Sequence, residues 1–150
     1  KLHLDYPNRK EELEILRKSS QSNDINIVPV IQPERIIQLR TVVRQIYMDS
    51  KIENYIVDLV RASRNPAKYG LDGHTDLIEY GASPRATISL AIASKAHAFM
   101  KHRGYVTPED VHAIGKDVLR HRVIVSYQAE ARGIDSEKII QTIFQTVEIP

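Results

Sequence analysis

Apolar positions recur at helical spacing along most of this chain. Ile52, Tyr55, Ile56, Leu59 and Val60 fall at i, i+3, i+4, i+7 and i+8, which places five apolar side chains on one helical face. Ile36, Leu39, Val43 and Ile46 show the same period just after Pro33, a residue suited to the first turn of a helix. Leu13 and Leu16 make a shorter stripe that runs to about residue 18. Three further stripes follow: Ile88, Ala91, Ile92, Ala96 and Phe99; then Val111, Ile114, Gly115, Val118 and Leu119; then Ile139, Ile140, Ile143 and Phe144. Each is read as the buried face of a helix.

The punctuation agrees. Asn8-Arg9-Lys10-Glu11 and Ser50-Lys51-Ile52-Glu53 have the form of capping boxes, with a side-chain acceptor followed three residues later by an acid. Ser83-Pro84 and Thr107-Pro108 each put a cap residue before a proline at the first helical position, and Asp135-Ser136 caps the last helix. The helix that begins near residue 51 is expected to stop near Arg64, before Asn65-Pro66.

Between the helices the patterns differ. Leu2, Leu4 and Tyr6 alternate as in a strand, residues 19–24 read as a polar loop, and residues 25–31 read as extended, with Pro29 confining them to an edge. Residues 65–82 form a long connection with a short helical turn expected at Leu77 and Ile78, and residues 122–127 look extended. The fold class expected is mainly α: a compact bundle of about five or six helices with short extended segments.

Composition narrows the chemistry. The 150 residues are 42% apolar and 27% charged, an ordinary globular mix, and no cysteine is present to build a disulfide, a thiolate zinc site or a thiol nucleophile. Net charge is +2, with twelve basic and ten acidic residues up to position 75 and nine of each after it. Neither half carries the basic excess of a nucleic-acid-binding domain. No apolar run is long enough to span a membrane, no GxxxxGK[ST] phosphate loop occurs, and no signal-like segment opens the chain, so a cytoplasmic location is expected.

One site breaks a local rule. A helix start carries roughly +0.5 charge together with open N–H groups, and acids such as Glu109 and Asp110 belong there. In Gly81-Ala82-Ser83-Pro84-Arg85-Ala86, Arg85 instead puts a full positive charge in the first turn. Dipole, amides and guanidinium together suit a phosphate. A surface arginine whose stem packs sideways, or one paired with a nearby acid, is the ordinary alternative.

The remaining candidates have plain readings. His97 and His102 lie five apart and His112 and His121 nine apart, spacings that do not bring metal ligands together on a helix. Lys116, Arg120, His121 and Arg122 form a small basic cluster near a helix C-terminus, where the dipole favours cations. Ser83 has no activating partner and is read as a cap.

Taken with Tyr105-Val106-Thr107-Pro108-Glu109-Asp110-Val111 and Leu119-Arg120-His121-Arg122, the Gly81 to Ala86 motif resembles the C-terminal lid of MoxR-type AAA+ ATPases, relatives of the magnesium chelatase ATPase subunit. Tyr6-Pro7 with Glu11-Glu12-Leu13-Glu14-Ile15-Leu16 resembles the segment where such proteins leave the ATPase core, and Ile56 to Val60 with Arg61 and Arg64 also fits. The resemblance covers nearly the whole chain. It implies that residues 1–20 are the end of the core, the hinge and a first helix, and that residues 21–150 are an AAA+-type helical lid. It implies that Arg85 is the lid arginine called sensor two, which reaches the terminal phosphates of ATP, with Ser83 and Pro84 beside it. Tyr6 and Pro7 would border the adenine, and Arg122 would contact the core or a neighbouring subunit.

By the same resemblance the parent protein would use ATP and Mg²⁺, assemble as a homo-oligomeric ring, commonly a hexamer, and act with von Willebrand factor A domain proteins in chaperone-like maturation of other complexes. The partner nearest to hand would be the AAA+ core of its own chain. Without the phosphate loop, these residues alone are expected neither to bind nucleotide nor to be an enzyme. A chain cut from a larger protein would account for the missing initiator methionine and the orphan opening strand.

Two other functions compete. A free-standing helical adaptor fits the lack of a complete active site. A helix–turn–helix over residues 84–121, with Lys101, Arg103, Lys116 and Arg120 as its cations, would bind DNA, but Glu109 and Asp110 would stand where base contacts are made.

Overall fold

A computed structural model describes residues 4–20 and 27–150. Among them seven α-helices run in chain order: α1 (Arg9–Ser20), α2 (Pro33–Gln45), α3 (Ser50–Ala62), α4 (Pro84–Met100), α5 (Pro108–Leu119), α6 (Tyr127–Ala131) and α7 (Ser136–Thr146). Strands β1 (Ile78–Tyr80) and β2 (Ile124–Val125) pair antiparallel, with Ile78 opposite Val125 and Tyr80 opposite Ile124. The protein is therefore mainly α. Six longer helices match the expected number, and the five-residue α6 is added to them.

Every expected helix is present, and several boundaries shift for visible reasons. At α1 the capping box forms: Asn8 Oδ1 accepts from Glu11 N at 3.1 Å, and Glu11 Oε2 accepts from Asn8 N at 2.8 Å. This helix runs on to Ser20, so Ser19 and Ser20 are helical; positions 21–24 of the expected polar loop lie outside the described residues. At α3 the cap is Asp49 and not Ser50, because Asp49 Oδ1 reaches Lys51 N at 2.8 Å and leaves Ser50 inside the first turn. At α7 Asp135 Oδ1 accepts from Lys138 N at 2.8 Å, as its pattern implied.

The opening alternation does not become a strand. Lys1 to His3 lie outside the described residues, and Leu4 to Asn8 have no regular structure. The 65–82 connection is more ordered than expected. It holds two 3₁₀ segments, Pro66–Tyr69 and Asp72–Leu77, followed directly by β1. Ile78, expected in a helical turn, is the first strand residue, since β2 supplies the partner that local sequence cannot show.

The core lies among α3, α4, α5 and α7. Ile56, Leu59, Val60, Leu90, Val111, Leu119, Ile139, Ile140 and Ile143 are fully buried there. Gly115 on α5 lets the Phe144 ring of α7 come so close that a Cβ would collide with it. The expected buried face of α4 is corrected. Ala86, Leu90, Ser94 and Ala98 face inward and Ala91 and Phe99 pack half-buried against the core, while Ile88 and Ile92 are about 60% exposed. Polar and apolar residues are spread round this helix, so periodicity does not choose a face; the face with small side chains lets α5 approach closely.

Candidate functional site: the start of α4

Three elements fix the segment that leads into α4. Strand β1 delivers the chain to Gly81. There it meets the end of α3 so closely that a Cβ on Gly81 would collide with the Ser63 carbonyl and with Cγ of Arg64. The next residue, Ala82, is fully buried, and its N–H donates to Ser63 Oγ at 2.9 Å, while that hydroxyl donates to Val60 O at 2.7 Å. A glycine and a buried serine thus anchor the loop to the core, and Pro84 starts the helix with its fixed φ. Arg85 follows in the first turn and is exposed.

Ser83 occupies the N-cap position with extended backbone (φ −76°, ψ 169°), but its hydroxyl caps nothing. The physical reason is local. Pro84 has no N–H, and the Ala86 N–H already donates to the Ser83 carbonyl at 2.8 Å. The expected side-chain cap is therefore corrected, and the helix start is left without a side-chain acceptor. No acid stands in the first turn, and among the described residues Arg85 has no hydrogen-bond or ion-pair partner. The ordinary alternative, an arginine paired with a nearby acid, is not what the structure holds.

Arg122 comes to the same helix from the far end of α5. Its Nη1 donates to the Val118 carbonyl and, at 2.8 Å, to His121 Nε2; its Nη2 donates to Ser89 Oγ at 3.2 Å. Ser89 lies four residues after Arg85, one turn along one face of α4. Sequence reading singled out Arg122 by motif but did not foresee this link to Ser89, which depends on how α5 packs against α4. Tyr6 and Pro7, in the stretch before α1, are both exposed, Tyr6 to 99%.

The basic residues of the helix–turn–helix reading are in part committed within the chain. Arg120 pairs with Asp117 (2.7 Å) and Glu137 (2.8 Å). Arg103 grips both oxygens of Asp110, at 2.5 and 2.8 Å. Asp110 is fully buried, and it also accepts from Thr107 N at 2.8 Å and from His97 Nδ1 at 2.7 Å. Burial alone would raise its carboxyl, but Arg103, the Thr107 N–H and His97 outweigh that and hold it at about 2. An ionised carboxylate only accepts, so His97 donates through Nδ1. This network, which locks the α4–α5 corner, was missed in sequence because His97, Arg103 and Asp110 are each unremarkable in their local pattern.

His112 likewise has a structural place. It shares a 2.7 Å hydrogen bond with the Tyr55 hydroxyl and packs on Phe144, and burial lowers its pKa. Burial also pushes the Tyr55 hydroxyl up to about 12. Among the described residues no group of three His, Asp or Glu side chains could hold a metal ion, and no helix is long and apolar enough to cross a membrane.

Comparison with known proteins places this geometry. The family model for the AAA lid domain matches residues 72–143, a span that includes the whole of the α4 site and Arg122. The chaperone MoxR1 of Mycobacterium tuberculosis is 30% identical over 150 residues, covering 100% of this chain and 40% of the relative. The YeaC protein of Bacillus subtilis is 33% identical over 151 residues, covering 100% of this chain and 44% of the relative. The crystal structure of a candidate ATPase from Cytophaga hutchinsonii superposes with a TM-score of 0.89 at 38% identity, over 99% of this chain and 46% of that one. The chain thus spans under half the length of the relatives it matches. It belongs to the lid domains of the MoxR family of AAA+ ATPases.

Proposed function

We propose that this chain is the nucleotide-sensing lid of a MoxR-type ATPase and that Arg85 is its sensor-two arginine. The observation that carries the reading is the state of the α4 start: an exposed guanidinium without a partner among the described residues, beside a helix terminus with neither a side-chain cap nor an acid. A cation at that end of a helix is unfavourable by a few tenths of a kcal/mol up to about 1 kcal/mol unless an anion compensates. A terminal phosphate compensates both the charge and the open amides.

In this reading the catalytic apparatus belongs to a core outside these 150 residues. Bound there, Mg²⁺ and ATP supply the phosphoryl chemistry. Arg85 adds charge stabilisation at the transferred group and favours closure of the lid over it. Residues up to Ser20 act as the connection to that core, with Tyr6 and Pro7 at the adenine edge, and the rest forms the moving lid. The protein would assemble as a ring, commonly a hexamer, and work in the cytoplasm as a chaperone-like machine together with von Willebrand factor A domain partners. The mycobacterial relative is named a chaperone, which supports the chaperone-like role.

The test is Arg85→Ala in the full-length ATPase. ATP turnover and ATP affinity should both fall by at least about tenfold, the effect of losing one charge-assisted contact. Wild-type turnover together with wild-type nucleotide affinity would overturn the reading.

A further inference from the structure

Arg122 poses a separate question. It is half-buried, and its charge faces no carboxylate among the described residues. A partly desolvated guanidinium normally takes an acid as partner, as Arg103 and Arg120 both do in this chain. Arg122 instead takes three neutral acceptors: a carbonyl, an imidazole nitrogen and a hydroxyl. A guanidinium has five N–H donors. Both on Nη1 and one on Nη2 are used, so one Nη2 hydrogen and the Nε hydrogen have no partner among the described residues. The three contacts fix the orientation of the group, and the α5 C-terminus compensates its charge only in part.

The contact with Ser89 places that charge. Ser89 stands one helical turn after Arg85, and side chains four apart on a helix are neighbours about 5–6 Å apart at Cβ. Arg122, carried by a different element, thus approaches the α4 face that bears Arg85. Arg122 meets α4 at Ser89, four residues past the exposed Arg85, and neither arginine is matched by an acid among the described residues.

We infer that Arg122 is a second phosphate-binding arginine of the α4 site, pre-oriented by Ser89, His121 and the Val118 carbonyl to contact the terminal phosphate of a nucleoside triphosphate together with Arg85. This rests on the nucleotide-lid reading above. The pair divides the work. Arg122 is positioned before the ligand arrives, so little side-chain entropy is lost on binding. Arg85 has no such restraint and orders only when the phosphate is present.

The experiment uses the full-length ATPase, with ATP and ADP as probes in parallel binding titrations and a thermal melt on every variant. Arg122→Gln should weaken ATP by about tenfold or more and leave ADP affinity near wild type, with a small drop in melting temperature from its lost contacts. Arg122→Lys keeps the charge but loses the fork, so it should recover only part of the ATP affinity. Combining Arg122→Gln with Arg85→Ala should cost less than the product of the single effects, because both act on one phosphate.

Three outcomes overturn the inference. One is a lowered melting temperature with the wild-type ratio of ATP to ADP affinity, which makes Arg122 a staple between α5 and α4. Another is an equal loss for ATP and ADP. The third is full ATP affinity in Arg122→Gln while Arg85→Ala is impaired, which defeats this inference and leaves the lid reading standing. If Arg85→Ala itself binds ATP as wild type does, the lid reading fails first.

Discussion

Two parts of the molecule share one helical period and differ in what it achieves. In α3, Ile52, Tyr55, Ile56, Leu59, Val60 and Ala62 are all buried. In α1 and α2 no residue is buried: Leu16 is 64% exposed, and Ile36, Ile37 and Val42 are exposed as well. Both parts have apolar stripes, proper helix starts and acids in the first turn. What separates them is how completely a partner surface covers the stripe. α3 lies between α4 and α7, whereas Ile36, Leu39 and Val43 of α2 line an open apolar groove with Ile92, Phe99 and Met100 of α4. An amphipathic pattern thus states that a helix can bury a face, and the neighbouring elements decide whether it does.

The sharpest test of the contrast lies in the packed part, at the α4–α5 corner. Asp110→Ala should cost about 3 kcal/mol, because the Thr107 N–H, His97 and Arg103 all lose one buried charged acceptor. Urea unfolding followed by circular dichroism would measure it; a loss under about 1 kcal/mol would show that the corner does not depend on the network. The pH dependence has a definite sign. Asp110 is held at about 2, below the ordinary aspartate value of about 3.9, so its contribution is complete above pH ~4 and is lost as pH falls toward 2. In Asp110→Ala that part of the acid sensitivity should vanish.

A smaller effect is expected where α3 meets the start of α4. Gly81→Ala forces a Cβ against the Ser63 carbonyl and should cost about 1–3 kcal/mol, typical of overpacking. Because the colliding atom is backbone, the strain cannot be relieved by a side-chain rotation, and the α4 start should shift. The chemical shifts of Ala82 and Arg85 amides would report that movement, and unchanged shifts with unchanged stability would refute the proposed anchoring.

The smallest effect belongs to the open part. Ile36→Ser in α2 should change stability by no more than about 0.5 kcal/mol, as for an exposed position. A loss of about 2 kcal/mol, measured by the same unfolding experiment, would mean that α2 is packed as tightly as α3 and would erase the comparison.

Much of this architecture was legible in local sequence. Helix starts at Asn8, Thr107 and Asp135 depend on atoms three residues apart, so a linear reading captures them. The same is true of Arg85, whose oddity is its position in the first turn of α4, a feature of chain order alone. Ser50 shows the limit within that range: the neighbouring Asp49 was the better acceptor and took the cap.

What depended on distant residues was hidden. The inward face of α4 was misjudged because Ile88 and Ile92 are more hydrophobic than Ala86 and Ala98, yet only the small residues let α5 come close. The strand at Ile78 needed Val125. Ser63, buried at the C-cap of α3, turned out to hold the loop before Arg85.

The sequence by itself determined that this chain forms helices with defined starts, that it has no thiol chemistry or phosphate loop, and that one arginine stands against a helix dipole. Those properties arise from composition and from contacts within a few residues. Only the tertiary structure decided that Arg85 is free of any acid among the described residues, that Gly81 is pinned to Ser63, and that Arg122 reaches Ser89. Each of these joins residues between 18 and 33 positions apart, or depends on every neighbour at once, and such distances are set by packing and not by local backbone preference.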